Sequence, residues 1–453
     1  MTTGSKMSLN EDEAAAAMAA KWKPLIAALI IVALVLRIMA AILVERHVQN
    51  AGRPFLIEGD ANGYWELAQK IATGQDYAIH QPPRYVLRMP GFPLLLAASI
   101  RIFGDNVFAA RIVLAVVGTA CCWLTYRLGS LVHMRRTGFW AAMFVTINPL
   151  HIGNSVLVLS ESWFTFWMLL SLLALVKLVD RFSAPKKLPE NADAAPAVPS
   201  LGPLVTQSCW AGILIGGAVL VRPGFLPWLA LAACGVLFLL RRTVAIRSLS
   251  AGCMVAGCFV VLFPWAARNA AVTDHWVFTS LWSGPSLYDG WNPDATGASD
   301  MRFFDDEQVM AKQGLSEFEM NEHYKQRAFA FATSNPGRVL ELAAIKAGKF
   351  LSPAPNATKQ AGWVIEAAFV AVWATLAVLA IAGLVSRQWD GVGILVTVGP
   401  LLLFLLVHMV FVGSVRYRLP VEFPLSVLAA IGWRWLVLKR GGSAGNSSPT
   451  SPA

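Results

Sequence analysis

The sequence predicts an all-α polytopic membrane protein, and three observations carry that prediction. The chain has 453 residues, of which 56% are hydrophobic and only 14% charged. Soluble domains carry about a quarter charged residues. Mean hydropathy is +0.55. Apolar runs near the roughly 20 residues that a bilayer demands recur between residues 25 and 438, parted by short basic turns. The net charge of +10 is scattered rather than striped, so nucleic acid is not an expected partner. The six cysteines, at 121, 122, 209, 234, 253 and 258, lie in or at the edge of apolar runs. They read as free packing thiols rather than a disulfide framework, and no Cys/His cluster has zinc spacing.

Residues 1–24 read as a cytoplasmic tail, polar and then Ala-rich, with a frayed start. Lys21 and Lys23 precede the apolar run 25–44 and place its beginning in the cytoplasm. That run is too long for a signal peptide core and is read as a permanent first span. A polar external loop follows over 45–106. Within it, Tyr64, Leu67, Ala68 and Ile71 have helical spacing, predicting an interfacial helix over 61–73. Beyond the breaks at Pro82-Pro83 and Pro90 to Pro93, residues 94–103 form a second helix too short to span.

Spans are predicted at 108–130, 138–151, 158–178, 207–221, 224–240 and 248–266, completing a bundle over 25–266. Arg135-Arg136, Arg181 and Arg241-Arg242 fall on the side of Lys21, as an alternating topology requires. The Pro- and Ala-rich segment within 181–206 reads as a disordered cytoplasmic linker. Gly212 and Gly216 suit close helix approach. Residues 267–360 are polar and acid-rich and are predicted to form a small external helical domain, returning to the membrane through an amphipathic helix from Asn335 to Phe350. Spans at 363–385, 391–412 and 421–438 occupy the C-terminal part, 361–440, giving about ten in all, and 441–453 reads as a disordered cytoplasmic tail. The Asn356-Ala357-Thr358 triplet matches a glycosylation acceptor but is too short a pattern to carry weight.

On this topology the ionisable groups that belong to no cytoplasmic turn gather at one face. Asp60, in Glu58-Gly59-Asp60-Ala61-Asn62-Gly63-Tyr64-Trp65, opens the first loop, and Glu161 sits at the mouth of the fourth span. Arg222, Arg268, Arg416 and Arg418 lie at the same face. Charge at membrane depth is costly and marks function by default. Each group also has a plainer explanation: arginines snorkel to lipid phosphate, and Glu161 beside Ser160 suits a helix N-terminus. Convergence favours function. Arginine binds phosphate through a planar fork, while a carboxylate can deprotonate a hydroxyl or hold a divalent cation. The isolated histidines 80, 151, 275 and 408 read as structural.

The sequence resembles the GT-C-fold glycosyltransferases that use polyprenyl-phosphate sugars, the group of the protein O-mannosyltransferases and lipid A aminoarabinose transferases. The resemblance covers about residues 25–440. It rests on Gly59-Asp60 with Tyr64, Ala68 and Gly74, on Arg88-Met89-Pro90-Gly91-Phe92-Pro93, and on Pro264-Trp265-Ala266-Ala267-Arg268-Asn269. Further pieces are Asn335-Pro336 and Arg416-Tyr417-Arg418-Leu419-Pro420. It implies a GT-C-like bundle with an amphipathic first external loop, and Asp60 as base for the acceptor; Glu161 joins it as a catalytic candidate from its position at the same face. It also implies an inverting transfer with polyprenyl phosphate leaving, and Arg416 and Arg418 near the lipid phosphate. Tyr64, Arg88, Arg222, Arg268 and Tyr417 complete the expected substrate-binding set. Several relatives carry an Asp-Glu pair where this chain has Asp60-Ala61, so one carboxylate of any metal site is missing and no metal ligands are assigned. A divalent cation is the only cofactor left open.

The expected function is therefore transfer of a sugar from a polyprenyl-phosphate donor to a lipid, glycan or protein acceptor. The expected place is the external, periplasmic face of the inner membrane, in contact with membrane lipid. A transporter or flippase of lipid-linked sugars would use the same loops and arginines. Such proteins tend towards repeated halves and polar breaks at the midplane, and this sequence shows no internal repeat. An oligosaccharide ligase or polymerase would instead carry its key groups in a late, large loop.

Overall fold

The computed structural model describes residues 3–183, 200–353 and 363–444. The linker core, the 356–358 triplet and the end of the C-terminal tail lie outside the described residues. The membrane part contains α1 (Thr3–Asn50), α4 (Val107–Val132), α5 (Arg135–Ile147), α6 (Pro149–Asn154), α7 (Glu161–Phe182), α8 (Leu201–Val221), α9 (Pro227–Leu239) and α10 (Val244–Thr273). It continues with α16 (Trp363–Ser386), α17 (Gly391–Val410) and α18 (Val415–Ala444). Two helices, α2 (Glu58–Thr73) and α3 (Gly91–Phe103), lie in the first loop. Five more form the second polar segment: α11 (Ser283–Gly290), α12 (Arg302–Glu307), α13 (Val309–Gln313), α14 (Glu317–Ser334) and α15 (Pro336–Leu351).

Eight of the described helices are long and apolar enough to cross a membrane. The expected spans 138–151 and 224–240 are carried instead by shorter helices, α5 and α9, of 13 residues each. At 1.5 Å per residue these are about 20 Å long, short of a roughly 30 Å hydrocarbon core. They nonetheless traverse the bundle. Arg222 bonds Glu161 at the start of α7, whereas Arg242 donates to the Phe182 carbonyl at its end. Likewise Gly138 packs against the Tyr126 carbonyl near the end of α4, while Val156 accepts from Arg111 near its start. Proline explains the shortness: Pro149 begins a separate helical piece inside the expected span 138–151, and α9 starts only at Pro227, after the 3-10 turn Pro223–Phe225.

Three boundaries differ from expectation. The backbone of α1 is helical from Thr3, so the predicted fraying of the tail is replaced by a continuous helix. α10 runs to Thr273, seven residues past its predicted end, with Pro264 inside it. α18 begins at Val415 and includes Pro420 and Pro424, so Arg416 and Arg418 belong to a helix rather than to a loop. Prolines are tolerated there because neighbouring helices and side chains in a membrane bundle re-satisfy the freed backbone groups.

Close packing explains the small residues. A Cβ on Gly212 would meet the Met254 carbonyl oxygen at 1.9 Å, and one on Gly257 the Cys209 carbonyl oxygen at 2.3 Å, so α8 and α10 touch backbone to backbone. Arg37, within the apolar stretch of α1, is fully buried and donates to the Ala33 and Val145 carbonyls rather than snorkelling to lipid.

The second polar segment has its own small core of Leu287, Tyr288, Phe304, Met320 and Tyr324. Its α14 starts with a reciprocal capping box between Ser316 and Glu319. Lys346 of α15 is fully buried and donates to the Val410 carbonyl at 2.7 Å. Burial pushes its amine down to about 8, partly offset by the Asp289 carboxylate. It pins this domain to the turn before α18.

Candidate active site

Three arginines and two carboxylates from distant parts of the chain meet at one end of the bundle. Asp60 lies in the first turn of α2, where the helix dipole favours an acid. Its Oδ1 accepts from Arg88 Nη2 at 3.0 Å and its Oδ2 from Arg416 Nη1 at 2.7 Å. Glu161, fully buried at the start of α7, accepts from Arg222 Nη2 at 2.6 Å and from Arg416 Nε, both on Oε1. Arg416 therefore bridges the two acids. Its planar fork reaches both at once, which a lysine cannot do.

The surrounding residues hold these groups in place. Arg88 lies 4.4 Å from the Tyr64 ring centroid. Gly63 leaves room for it, since a Cβ there would sit 3.1 Å from Arg88 Nε. The Tyr64 hydroxyl approaches Ser160 Oγ at 3.5 Å, and Ser160 accepts from Arg222 Nε at 3.1 Å. Tyr417 stacks on His408 with centroids 4.3 Å apart and planes 3° from parallel, beneath the Arg222 guanidinium. Sequence reasoning did not assign Ser160 to the cluster, and it read His408 as structural. The only local sign of Ser160's place was its position beside Glu161.

Two expected substrate ligands are placed elsewhere. Arg268 donates to the Tyr77 carbonyl at 2.8 Å and to the Tyr85 carbonyl at 2.6 Å, so it clamps the loop carrying Arg88 rather than joining the cluster. Glu317 of α14 clamps the same loop by accepting from the Tyr85 and Val86 amides, 2.7 and 3.0 Å away. Burial pushes the Glu317 carboxyl up, partly offset by those two amides. Arg418 corrects the expected pairing with Arg416. It is fully buried and donates to Glu422, two residues past Pro420, and to the Phe350 and Ser352 carbonyls at the end of α15. It also stacks 3.7 Å from the Trp373 centroid. Its Nε and Nη1 are engaged and its Nη2 is buried without a hydrogen-bond partner, so it caps α15 and lies outside the Asp60–Glu161 cluster. His151, read as isolated, bonds Glu422 at 2.9 Å from the other side.

The electrostatics favour an anion. Three guanidinium groups face two carboxylates, leaving one net positive charge. Burial alone would push the Asp60 carboxyl up. Arg88 and Arg416 outweigh it and hold the group well below the usual carboxylate range. A divalent cation does not fit this arrangement. Both Asp60 oxygens and Glu161 Oε1 are taken by arginine, and no group of three metal-ligating side chains occurs among the described residues. Glu161 Oε2 is buried without a hydrogen-bond partner and remains available to a ligand hydroxyl or a water.

A bundle of long apolar helices, with two helices in its first loop and a five-helix polar segment beside a buried carboxylate–arginine cluster, defines the class. It is an integral membrane protein of GT-C-like fold. Among known proteins, residues 82–189 match the family model described as dolichyl-phosphate-mannose-protein mannosyltransferase. The chain is 29% identical over 228 residues to an undecaprenyl phosphate-alpha-4-amino-4-deoxy-L-arabinose arabinosyl transferase of Pseudomonas aeruginosa (strain LESB58). The match covers 48% of this chain and 38% of that relative, so the chain spans well under half the length of the curated relatives it matches. The apo oligosaccharyltransferase of Archaeoglobus fulgidus aligns with 95% of this chain and 53% of its own, with a TM-score of 0.54 and 14% identity. At that identity the likeness is one of fold.

Proposed function

We propose that this protein transfers a sugar from a polyprenyl-phosphate donor to an acceptor hydroxyl of a lipid, glycan or protein, with inversion. The observation that carries the reading is Arg416, which bridges Asp60 and Glu161 at the end of a GT-C-like bundle. As placed, Asp60 is a weak base because two arginines stabilise its anion. An incoming donor phosphate competes for Arg416. Once that arginine turns to the phosphate, Asp60 keeps only Arg88 and its proton affinity rises. The acceptor hydroxyl then gives its proton to Asp60 as its oxygen bonds the sugar's anomeric carbon. The bond from that carbon to the phosphate oxygen breaks, its electron pair stays on the phosphate, and polyprenyl phosphate departs. Attack opposite the leaving group inverts the anomeric centre.

The test is incubation of the purified protein with polyprenyl-phosphate sugars labelled on the sugar. Loss of label from the lipid, faster than in an Asp60→Asn control, is the expected result. Passage of intact labelled lipid across a proteoliposome membrane without loss of label would instead favour the transporter reading.

The site is further proposed to face the periplasm from the inner membrane. The basic turns at Arg135-Arg136 and Arg241-Arg242 support this, lying at the opposite end of the bundle from Asp60, where cytoplasmic loops concentrate positive charge. A cysteine replacing exposed Lys312 is expected to react with an impermeant maleimide on intact cells, and one replacing Arg136 is not. The reverse pattern, or equal labelling, would invert or break this orientation.

A further inference from the structure

The backbone that carries Arg416 is weakened where it matters. Pro420 has no N–H to give the Arg416 carbonyl four residues earlier, and Pro424 leaves the Pro420 carbonyl in the same position. An ion pair crosses the first gap. Arg418 Nε donates to Glu422 Oε1 at 2.7 Å, one helical turn apart with Pro420 midway between them. Both partners are buried, and each is tied to another helix. Arg418 Nη1 donates to the Phe350 and Ser352 carbonyls at the end of α15, 2.8 and 2.6 Å away. Glu422 Oε2 lies 2.9 Å from Nε2 of His151, a buried residue of α6, and a carboxylate only accepts, so Nε2 donates. The His151 ring also stacks on Phe423 of α18, with centroids 4.4 Å apart. α6 is the helix that leads into Glu161 and α7. These bonds therefore join the segment before Glu161 to the helix of its partner Arg416. They do so from the far side of α18, since residues 418 and 422 are rotated by about 200° and 240° from 416.

We propose that His151, Glu422 and Arg418 form a splint that positions Arg416, fixing the proline-weakened start of α18 so that one guanidinium reaches Asp60 and Glu161 together. All three act through Arg416 and are positioning residues. For its effect on turnover the inference rests on the transferase reading. Apolar side chains of similar volume often pack with equal or greater stability, so stability alone does not account for burying three polar groups here. Placement does, because a shift of about 1 Å in a reacting group costs roughly 100-fold in rate. With the splint released, Arg416 slackens and Asp60 keeps only Arg88 as a direct partner, with Tyr417 the other titratable group near it. The Asp60 carboxyl, which two arginines hold well below the usual carboxylate range, then rises.

The test uses the full chain in neutral-lipid nanodiscs and reads the Asp60 carboxyl by isotope-edited infrared titration, separately from turnover. His151→Phe keeps a stacked ring but loses the bond to Glu422, whereas His151→Gln places an amide N–H near the position of Nε2. His151→Phe should raise the Asp60 titration, lower kcat/KM for a polyprenyl-phosphate sugar roughly 10- to 100-fold and move its acidic limb to higher pH. His151→Gln should recover most of each. In an Arg416→Ala background, His151→Phe should leave the Asp60 titration where the first substitution put it, since the two act as one unit. A lower unfolding temperature in His151→Phe with the Asp60 titration unmoved would mean a merely structural role and overturn the proposal. The variant Arg418→Met/Glu422→Leu/His151→Phe separates stability from placement. It should unfold no earlier than wild type and still shift Asp60, and a wild-type titration in it would also overturn the proposal. If Asp60 shifts as stated but wild type turns over no polyprenyl-phosphate sugar, the splint stands and the transferase reading fails. If wild type transfers sugar and no variant moves Asp60, the reverse follows.

Discussion

Asp60→Asn is expected to reduce sugar transfer by roughly 100- to 10,000-fold, the usual cost of losing a general base. The amide keeps the size of the carboxyl group and can still accept a hydrogen bond from one arginine. It cannot take the acceptor's proton. Because Asp60 is part-exposed, with 35% of its side-chain surface accessible, the substitution should leave yield and thermal unfolding close to wild type. Turnover within a few-fold of wild type would remove Asp60 from the reaction. Its titration sharpens the test. The folded carboxyl is held below its usual value of about 3.9, so the stability its pairing contributes is fully present above that pH and is lost only as pH falls below it. Any loss of kcat/KM between pH 7 and 5 must come from another group, because kcat/KM reports the donor-free protein. A loss of kcat there would report the raised proton affinity of Asp60 once Arg416 has turned to the phosphate.

Arg416→Ala is the second large effect, and it should act on stability as well as activity. It removes a cation from Glu161, which is fully buried and would keep only Arg222, and from Asp60, which would keep only Arg88. Removing one partner of a buried ion pair costs about 3–5 kcal/mol. The expected outcome is a lower unfolding temperature in detergent together with loss of affinity for the donor's phosphate. Arg416→Lys should recover part of the stability and little of the activity, because a single ammonium cannot span both carboxylates. A fully stable, active Arg416→Ala protein would mean that the bridge is incidental.

How much of this was legible in the sequence depended on how local the signal was. Glu161, Arg222 and Arg416 stand out because each is ionisable at the edge of an apolar run, and Asp60 because it lies between glycines beside Tyr64 and Trp65; the structure brings all four together. Arg418 was misplaced for a helical reason. Two residues apart on α18 means about 200° of rotation, so Arg416 and Arg418 point to opposite sides. Read as a loop ending at Pro420, the same pair seemed to share one target. Glu317 and His151 were hidden because their partners lie 231 and 271 residues away along the chain. The short helices α5 and α9 were overestimated because hydropathy alone does not register where Pro149 ends one helix and Pro227 opens the other.

The order in which the cluster is completed bears on how the protein is made. Asp60 and Arg88 emerge early, Glu161 and Arg222 follow, and Arg416 is translated almost two hundred residues after Arg222. Chains generally fold from the N-terminal side during synthesis. Until α18 inserts, Glu161 has one arginine instead of two, and the Glu422 partner of His151 has not been made. An unpaired charge at membrane depth is expensive, so the early helices remain an unfinished bundle that the last helix closes. Nascent chains stalled before residue 415 should therefore be far more sensitive to membrane proteases than the finished protein. Insertion of α18 would then act as a checkpoint, joining assembly of the bundle to assembly of its reactive end.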